Sequence, residues 1–412
     1  MRPSLRRGGS GYWQLVLCVA VVCGAAGPVR AASPEALRLN EMAVARTAQG
    51  RYEEAVELFA QARRLSPGDE VIRRNLAGLH TRWGHRLLQA GSLEKAQEQY
   101  RAALDLVPDE TGSLLGLGDV QLRQRQPRAA VDSYGRAVGL EPRNPDAYSR
   151  LGEAYYNQGD LGAALSAWER ALALRPEDVR LRNRLEAVQR EARVQSGYRS
   201  RDSQHFTVVY EGQRREDLGR ELLQILERAY ADVGYELGAY PPTEIQTIFY
   251  SDADFQGATG ISPSAGGFYH LLDGKIRIAL KGLSPADPQL RSVLYHEYAH
   301  ALVYAITRGK TPPRWVNEGL AVHMERGRGP EFRQEAIRQA RAGTLPPLEA
   351  SPYVHGSVVV GHLIERYGMG RVRQLLQRLG EGLSFAAAFK EAFGTDLATV
   401  QQNVRDLLVR GD

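Results

Sequence analysis

A 34-residue periodicity constrains the fold of this chain more than any other feature. Ala96, Tyr100, Ala103 and Pro108 recur as Ala130, Tyr134, Ala137 and Pro142, then as Ala164, Trp168, Ala171 and Pro176. An earlier copy, Ala55, Phe59, Ala62 and Pro67, is set off from these by seven extra residues. Trp83-Gly84, Leu117-Gly118 and Leu151-Gly152 keep the same period, and Gly50, Gly91 and Gly159 fall where a turn between two helices belongs. Small residues let helices cross closely, an aromatic fills the gap between them, and a proline marks each boundary. A unit of this size cannot bury its apolar face alone, so successive units must stack into a solenoid.

These residues resemble the tetratricopeptide repeat, over about 140 positions in one register. The array is expected at 36–196, about four repeats closed by a polar capping helix at 177–196 (EDVRLRNRLEAVQREARVQS). The second repeat is the least typical, with His80 where an aromatic is usual. Each position taken singly reports only packing. The array as a whole implies a concave groove that holds a protein partner.

With 412 residues the chain has room for two or three cores. Its formal charge is +5, but residues 1–31 carry Arg2, Arg6, Arg7 and Arg30 with no acid and so account for four of those charges. What remains gives little general attraction to phosphate backbones, and no nucleic-acid partner is expected. Residues 1–31 read as a secretory signal: a basic start, an apolar run from Trp13 to about Ala26, and small residues up to Ala31. Cys18 and Cys23 both lie there, so the mature chain would be free of cysteine, as suits a bacterial periplasm. Left uncleaved, the same segment would be the only membrane anchor.

A linker is expected at 197–204, and residues 205–412 read as a second domain. His205–Tyr210 and Glu244–Tyr250 have strand character, Arg214–Leu237 has helical period, and Gly266–Leu280 reads as a hairpin turning at Asp273-Gly274. Pro288 then opens a helix containing His296-Glu297-Tyr298-Ala299-His300. Histidines at i and i+4 leave a helix from one face, one turn apart, and can reach a single metal ion. Glu318 follows in Trp315-Val316-Asn317-Glu318-Gly319-Leu320-Ala321. It would complete a two-His, one-carboxylate zinc site with an open fourth position, one Zn2+ per chain. Glu297, inside the histidine pair, is placed to hold a water on that metal.

The combination of HEYAH, the 17 residues between His300 and Glu318, and WVNEGLA resembles the thermolysin-type gluzincins, closest to the peptidase MA-like domains. The fold class implied is a helical solenoid followed by an α+β domain with a small mixed sheet and a helical C-terminal part. The resemblance implies zinc ligation by His296, His300 and Glu318, with Glu297 as general base and then proton donor to the leaving amine. It suggests Tyr353 as the group stabilising the transition state, with His355 as competitor. Asn317 and Glu325 are candidates for orienting the site. Lys275, Ile276, Arg277 and Ile278 are a candidate edge strand for holding an extended peptide substrate. No amine-binding Gly-x-Met-Glu-Asn segment occurs, which favours internal cleavage. The expected function is thus an exported zinc metalloprotease whose repeats recruit a partner or substrate. The alternative is a non-catalytic periplasmic scaffold with a degenerate protease-like domain.

Overall fold

The computed structural model describes residues 33–212, 217–241, 243–271, 273–325 and 327–410. The segment expected to be a signal, its cysteines and the first residues of the helix expected from Arg214 lie outside them. Nine helices come first: α1 (Pro34–Ala48), α2 (Tyr52–Leu65), α3 (Glu70–Gln89), α4 (Leu93–Leu106), α5 (Thr111–Arg123), α6 (Pro127–Leu140), α7 (Pro145–Gln158), α8 (Leu161–Leu174) and α9 (Val179–Gln195). A mixed region follows, with β1 (Tyr198–Asp202), β2 (Phe206–Glu211), α10 (Leu218–Leu237), β3 (Ile245–Tyr250), α11 (Asp252–Thr259), β4 (Gly267–Tyr269) and β5 (Ile276–Ala279). The rest is helical: α12 (Pro288–Ile306), α13 (Arg314–Glu325), α14 (Gly329–Arg341), α15 (Val354–Tyr367), α16 (Met369–Glu381), α17 (Phe385–Phe393) and α18 (Leu397–Arg410). Among the described residues no helix is long and apolar enough to cross a membrane.

The chain divides into two compact units, one up to Leu79 and one from His80 onward. The sequence suggests a division at the end of the repeats, but the boundary falls inside them. In the first unit Ser33 caps α1, its hydroxyl accepting from the Ala36 amide at 3.1 Å ahead of Pro34. Ala43, Ala55, Phe59 and Ala62 there are completely buried.

In the second unit each repeat uses one device. The aromatic of the second helix lies on a glycine of the first, because a side chain there would occupy the ring's place. A Cβ at Gly118 would stand 2.4 Å from the Tyr134 ring, and one at Gly152 2.5 Å from Trp168. The Trp168 indole N–H donates to the Ser149 carbonyl at 3.0 Å, so the buried ring keeps its polar atom satisfied.

A five-stranded sheet, in the order β1-β2-β3-β5-β4, is the centre of the mixed region. The two outer pairs are antiparallel and the inner pairs, β2–β3 and β3–β5, are parallel. Alternation along the strands separates two cores. Phe206, Val208, Phe249, Ile276 and Ile278 face α10, α12 and the C-terminal helices. Val209, Ile248, Tyr250 and Ala279 face α11 and the end of α9 at Val194.

Two expectations are corrected here. The linker placed at 197–204 contains β1, an edge strand that pairs Tyr198–Asp202 with β2. Four of its five residues are exposed, so it carries none of the apolar alternation by which strands are recognised. The strand containing Ile276, Arg277 and Ile278 is not an edge. It lies between β3 and β4, both of its hydrogen-bonding sides are taken, and an added peptide could pair only with an edge strand, β1 or β4. The capping helix is also less exposed than its polar sequence suggests: α9 buries Leu181, Leu185, Val188 and Glu191.

The glycine–aromatic packing makes opposite predictions for two glycines. Gly152→Val should destabilise the protein by about 1–3 kcal/mol through overpacking. Gly135→Ala, in α6 where nothing lies within 4 Å of the new methyl, should stabilise it by about 0.5–1 kcal/mol through helix propensity. Urea unfolding of the two variants checks this, and shifts of the same sign would refute the packing account.

Candidate metal centre

The site rests on α12 and α13. Asp287 caps α12, its carboxylate accepting from the Gln289 amide at 2.8 Å, and Pro288 takes the first helical position. Leu290, Leu294, Tyr298, Ala301 and Leu302 bury one side of the helix. The i, i+4 spacing brings the His296 and His300 rings to a centroid separation of 4.7 Å.

From α13, Glu318 reaches between them. Its Oε2 lies 3.4 Å from Nε2 of His296 and 3.4 Å from Nε2 of His300. The ligand atoms of these three residues all fall within 4.8 Å of one another. Four ligands in a tetrahedron about zinc, with bonds of 2.0–2.2 Å, sit about 3.3 Å apart, which is close to the two separations observed. Glu318 Oε2 is buried and has no hydrogen-bond donor, and the same holds for Nδ1 of His300. An orphaned carboxylate oxygen aimed at two imidazole nitrogens is what a cation would satisfy. The donor set and its spacing therefore fit zinc.

Seven residues past Glu318, two turns on, Glu325 lies on the same face of α13. His296 is consequently held between two carboxylates, Glu318 at Nε2 and Glu325 at Nδ1, the latter 2.5 Å away. Arg328 grips Glu325 with two bonds, Nε to Oε2 at 2.7 Å and Nη2 to Oε1 at 2.6 Å, and the Ser292 hydroxyl donates to it at 3.1 Å. Such an outer carboxylate fixes the tautomer and direction of a ligating histidine. The structure thus brings Glu325 into the site. Asn317 it does not: among the described residues no side-chain hydrogen bond reaches Asn317, and consecutive helical residues point about 100° apart.

The electrostatics follow from burial and carboxylate crowding. Burial alone would depress the His296 imidazole, but Glu318, Glu325 and Glu297 outweigh it and lift its pKa to about 9 in the metal-free protein. Burial opposes ionisation of Glu318 and Glu325, yet the two imidazoles hold Glu318 well below the usual carboxylate range, and His296 with Arg328 lowers Glu325. Glu297 is shifted the other way. Its burial raises it, only partly offset by His300, His296 and the Tyr269 backbone amide.

That amide shows where β4 lies. Ala279 donates to the Gly266 carbonyl and His270 to the Lys275 carbonyl, so even-numbered residues of β4 turn their backbone groups to β5. Gly267 and Tyr269 turn theirs to the open edge, where Tyr269 meets Glu297. A Cβ at Gly267 would come to 3.4 Å from Glu297 Cγ.

Tyr353, at the start of α15, stacks on His296 with centroids 6.2 Å apart, and Glu318 and Arg314 are the charges that act on its hydroxyl. Burial and the Glu318 charge raise its hydroxyl pKa. A glycine pair makes this approach feasible: a Cβ at Gly319 would meet the Gly356 carbonyl at 2.6 Å, and one at Gly356 the Trp315 carbonyl at 2.8 Å. His355 is turned elsewhere, with its Nδ1 on the Pro346 carbonyl at 2.8 Å. Lys275 and Arg277 likewise point away from His296, His300 and Glu318, on the opposite side of the sheet from Ile276 and Ile278. Sequence reasoning missed Ser292, Arg314 and Arg328, although Ser292 lies one turn before His296, Arg314 one turn before Glu318, and Arg328 three residues past Glu325.

The comparisons with known proteins concern the repeats. Tetratricopeptide repeat family models match residues 39–71, 81–125 and 115–179, so the chain carries tetratricopeptide repeats. Among solved structures it is similar to the first TPR of Spaghetti (RPAP3) bound to the HSP90 peptide SRMEEVD, with 23% identity, 28% of this chain and 92% of that chain covered, and a TM-score of 0.28. It is also similar to MamA from Desulfovibrio magneticus RS-1 (22% identity, 39% and 86% covered, TM-score 0.32) and to YrrB, a TPR protein with an unusual peptide-binding site (18%, 37% and 74%, 0.29). No curated protein matches the chain.

The Glu325 contact predicts that Glu325→Ala weakens zinc binding about 10–100-fold, measured by competition with a chromophoric chelator. An unchanged affinity would remove Glu325 from the site. Gly319→Ala should leave the ligands in place yet destabilise the fold by about 1–3 kcal/mol, because its methyl meets backbone that cannot swing aside.

Proposed function

We propose that the region from β1 to the C-terminus is a zinc-dependent peptide hydrolase of the gluzincin, thermolysin-like type, and that the tetratricopeptide repeats serve it by engaging protein. The observation that carries this reading is the convergence of Nε2 of His296, Nε2 of His300 and Oε2 of Glu318 on one point. Beside it lies a buried general base on the same helix. Bound there, zinc supplies Lewis acidity towards the scissile carbonyl and lowers the pKa of water to about 7.

The protein's own groups do the rest. Glu297, desolvated and raised, takes the proton of the attacking water and gives it to the leaving amine. Tyr353 and Arg314 stand beside Glu318, where a hydroxyl and a guanidinium oppose the charge that develops on the carbonyl oxygen. The open edge of β4 offers the backbone groups of Gly267 and the carbonyl of Tyr269 to an extended peptide, which would lie along α12 as a sixth strand. A strand-binding edge together with the missing amine-binding segment favours cleavage within chains. The basic and apolar N-terminal residues support export, to the periplasm of a bacterium.

The purified protein should hold about one zinc per chain and cleave peptides with both termini blocked. Glu297→Gln should keep the metal while kcat falls about 10²–10⁴-fold. Tyr353→Phe should lower kcat with little change in zinc content. A wild-type protein that takes up no zinc and leaves a broad peptide library intact would instead support the non-catalytic scaffold.

A further inference from the structure

The turns between paired helices repeat with the array, and all but one use glycine. Gly50, Gly91 and Gly159 sit there with φ of 75°, 76° and 92°. At the corresponding place between α5 and α6 stands Arg125, with φ of 59°. A side-chain-bearing residue resists that left-handed conformation, and strain of this kind persists where the side chain has something to hold.

Arg125 holds the β4–β5 hairpin. Its Nη2 donates to the Leu271 carbonyl at 2.7 Å and reaches the Tyr269 hydroxyl at 3.5 Å. The guanidinium lies 5.4 Å from the centre of the Tyr304 ring, which meets Tyr269 edge-on at 6.0 Å. Tyr304 is seven residues past Glu297 and so lies on the same face of α12. Arg125 therefore closes over the point where β4 touches the helix bearing the general base. Gly274 in the hairpin turn has a φ of 69°, which favours glycine, and a Cβ there would come to 2.5 Å from the guanidinium and displace it.

A second hold comes from α7 and α9. Lys275 and Arg277 project from β5 into a buried cluster with Asp273, Glu191 and Tyr156, two cations against two anions. Arg277 Nη2 donates to the Tyr156 hydroxyl at 2.7 Å, to Asp273 at 2.9 Å and to Glu191 at 3.3 Å. Lys275 Nζ donates to the Tyr156 carbonyl at 2.7 Å. Burial depresses the Lys275 ammonium to about 8, while His270 and Arg277 outweigh burial at Asp273 and hold its carboxyl well below the usual carboxylate range. Ions removed from water in this way are tolerated only in fixed geometry, which pins the hairpin to the repeats.

We propose that the last repeats are a positioning element of the hydrolytic site: Arg125, with Tyr156 and Glu191, fixes the β4–β5 hairpin so that the open edge of β4 is presented beside Glu297. The part of this inference that concerns substrate rests on the hydrolase reading; the part that concerns the hairpin does not. Neither Arg125 nor Tyr156 touches the metal ligands, so both act through β4.

The test is Arg125→Gly in the full-length protein, because glycine accepts the left-handed backbone and the fold should survive. Hydrogen exchange should quicken about tenfold or more at amides 266–279 and stay unchanged in α12 and α13. Zinc content and thermal midpoint should hold. With peptide substrate, KM should rise several-fold while kcat stays near wild type, as expected when groups that bind substrate and transition state alike are loosened. Tyr156→Phe, which removes only a hydroxyl, should move both readouts in the same direction. Unchanged hairpin exchange in both variants would overturn the proposal, and so would faster hairpin exchange with KM unaltered. Failure of the wild type to turn over any peptide would count against the hydrolase reading instead, and the exchange measurement would still decide whether the repeats hold the hairpin.

Discussion

The site is built on one imidazole shared between two carboxylates of a single helix. His296 can face Glu318 with one nitrogen and Glu325 with the other only if α13 passes α12 with both acids on its near face, which a separation of seven residues provides. Once that crossing is set, His300 is placed by its own helix, with its Nδ1 buried and without a hydrogen-bond partner. Arg328 and Ser292 then complete the hydrogen bonding of Glu325, whose side chain is wholly buried. Leaving that carboxylate unpaired in the interior would be strongly unfavourable, so Arg328 is as much a condition of the fold as of the site.

The remaining approach to the site is steric. Gly319 and Gly356 let α13 and α15 touch backbone to backbone, and this contact carries Tyr353 over His296. On the other side, Gly267 lets β4 close onto β5, where a Cβ would come to 2.6 Å from Ile278 Cδ1, and leaves β4 in ordinary contact with Glu297. In both places a glycine removes bulk between neighbouring elements that frame the site. Arg125 is the inverse case, where a side chain is kept at a position that favours glycine and the backbone carries the strain.

The parts legible in the sequence were those set by local spacing. The i, i+4 histidines, Glu318, the hairpin turn at Asp273-Gly274 and the repeat aromatics each depend on residues within one element or one period, and the structure places them accordingly. Glu325 was within reach because i+7 is a helical spacing too. Strand order was not legible, since nothing local says that β5 rather than β4 lies beside β3. The reading of Lys275–Ile278 as an edge failed for that reason, and the alternation of Ile276 and Ile278 with charged neighbours looks the same for an exposed strand as for one whose charges meet a buried acid. Strand β1 was hidden by its exposure. Arg125 did leave a signal, a missing glycine in an otherwise periodic turn, but its meaning required the three-dimensional position of the hairpin.

The buried polar cluster also changes what the repeats are. In a solenoid each repeat contacts only its neighbours, and the last one is closed by a polar helix facing water. Here α9 has the polar sequence of such a cap, yet Glu191 and Gln195 on it turn inward, to Arg277 and to the Tyr250 hydroxyl at 2.8 Å. An ion pair of this kind is a poor source of net stability compared with apolar packing, because desolvation of both charges offsets most of their attraction. What it supplies is a single acceptable arrangement: the guanidinium of Arg277 must find the Tyr156 hydroxyl, Asp273 and Glu191 together, and a hairpin displaced by even one residue would bury its charges unpaired. Apolar contact between the repeats and the sheet would tolerate sliding, whereas this cluster does not.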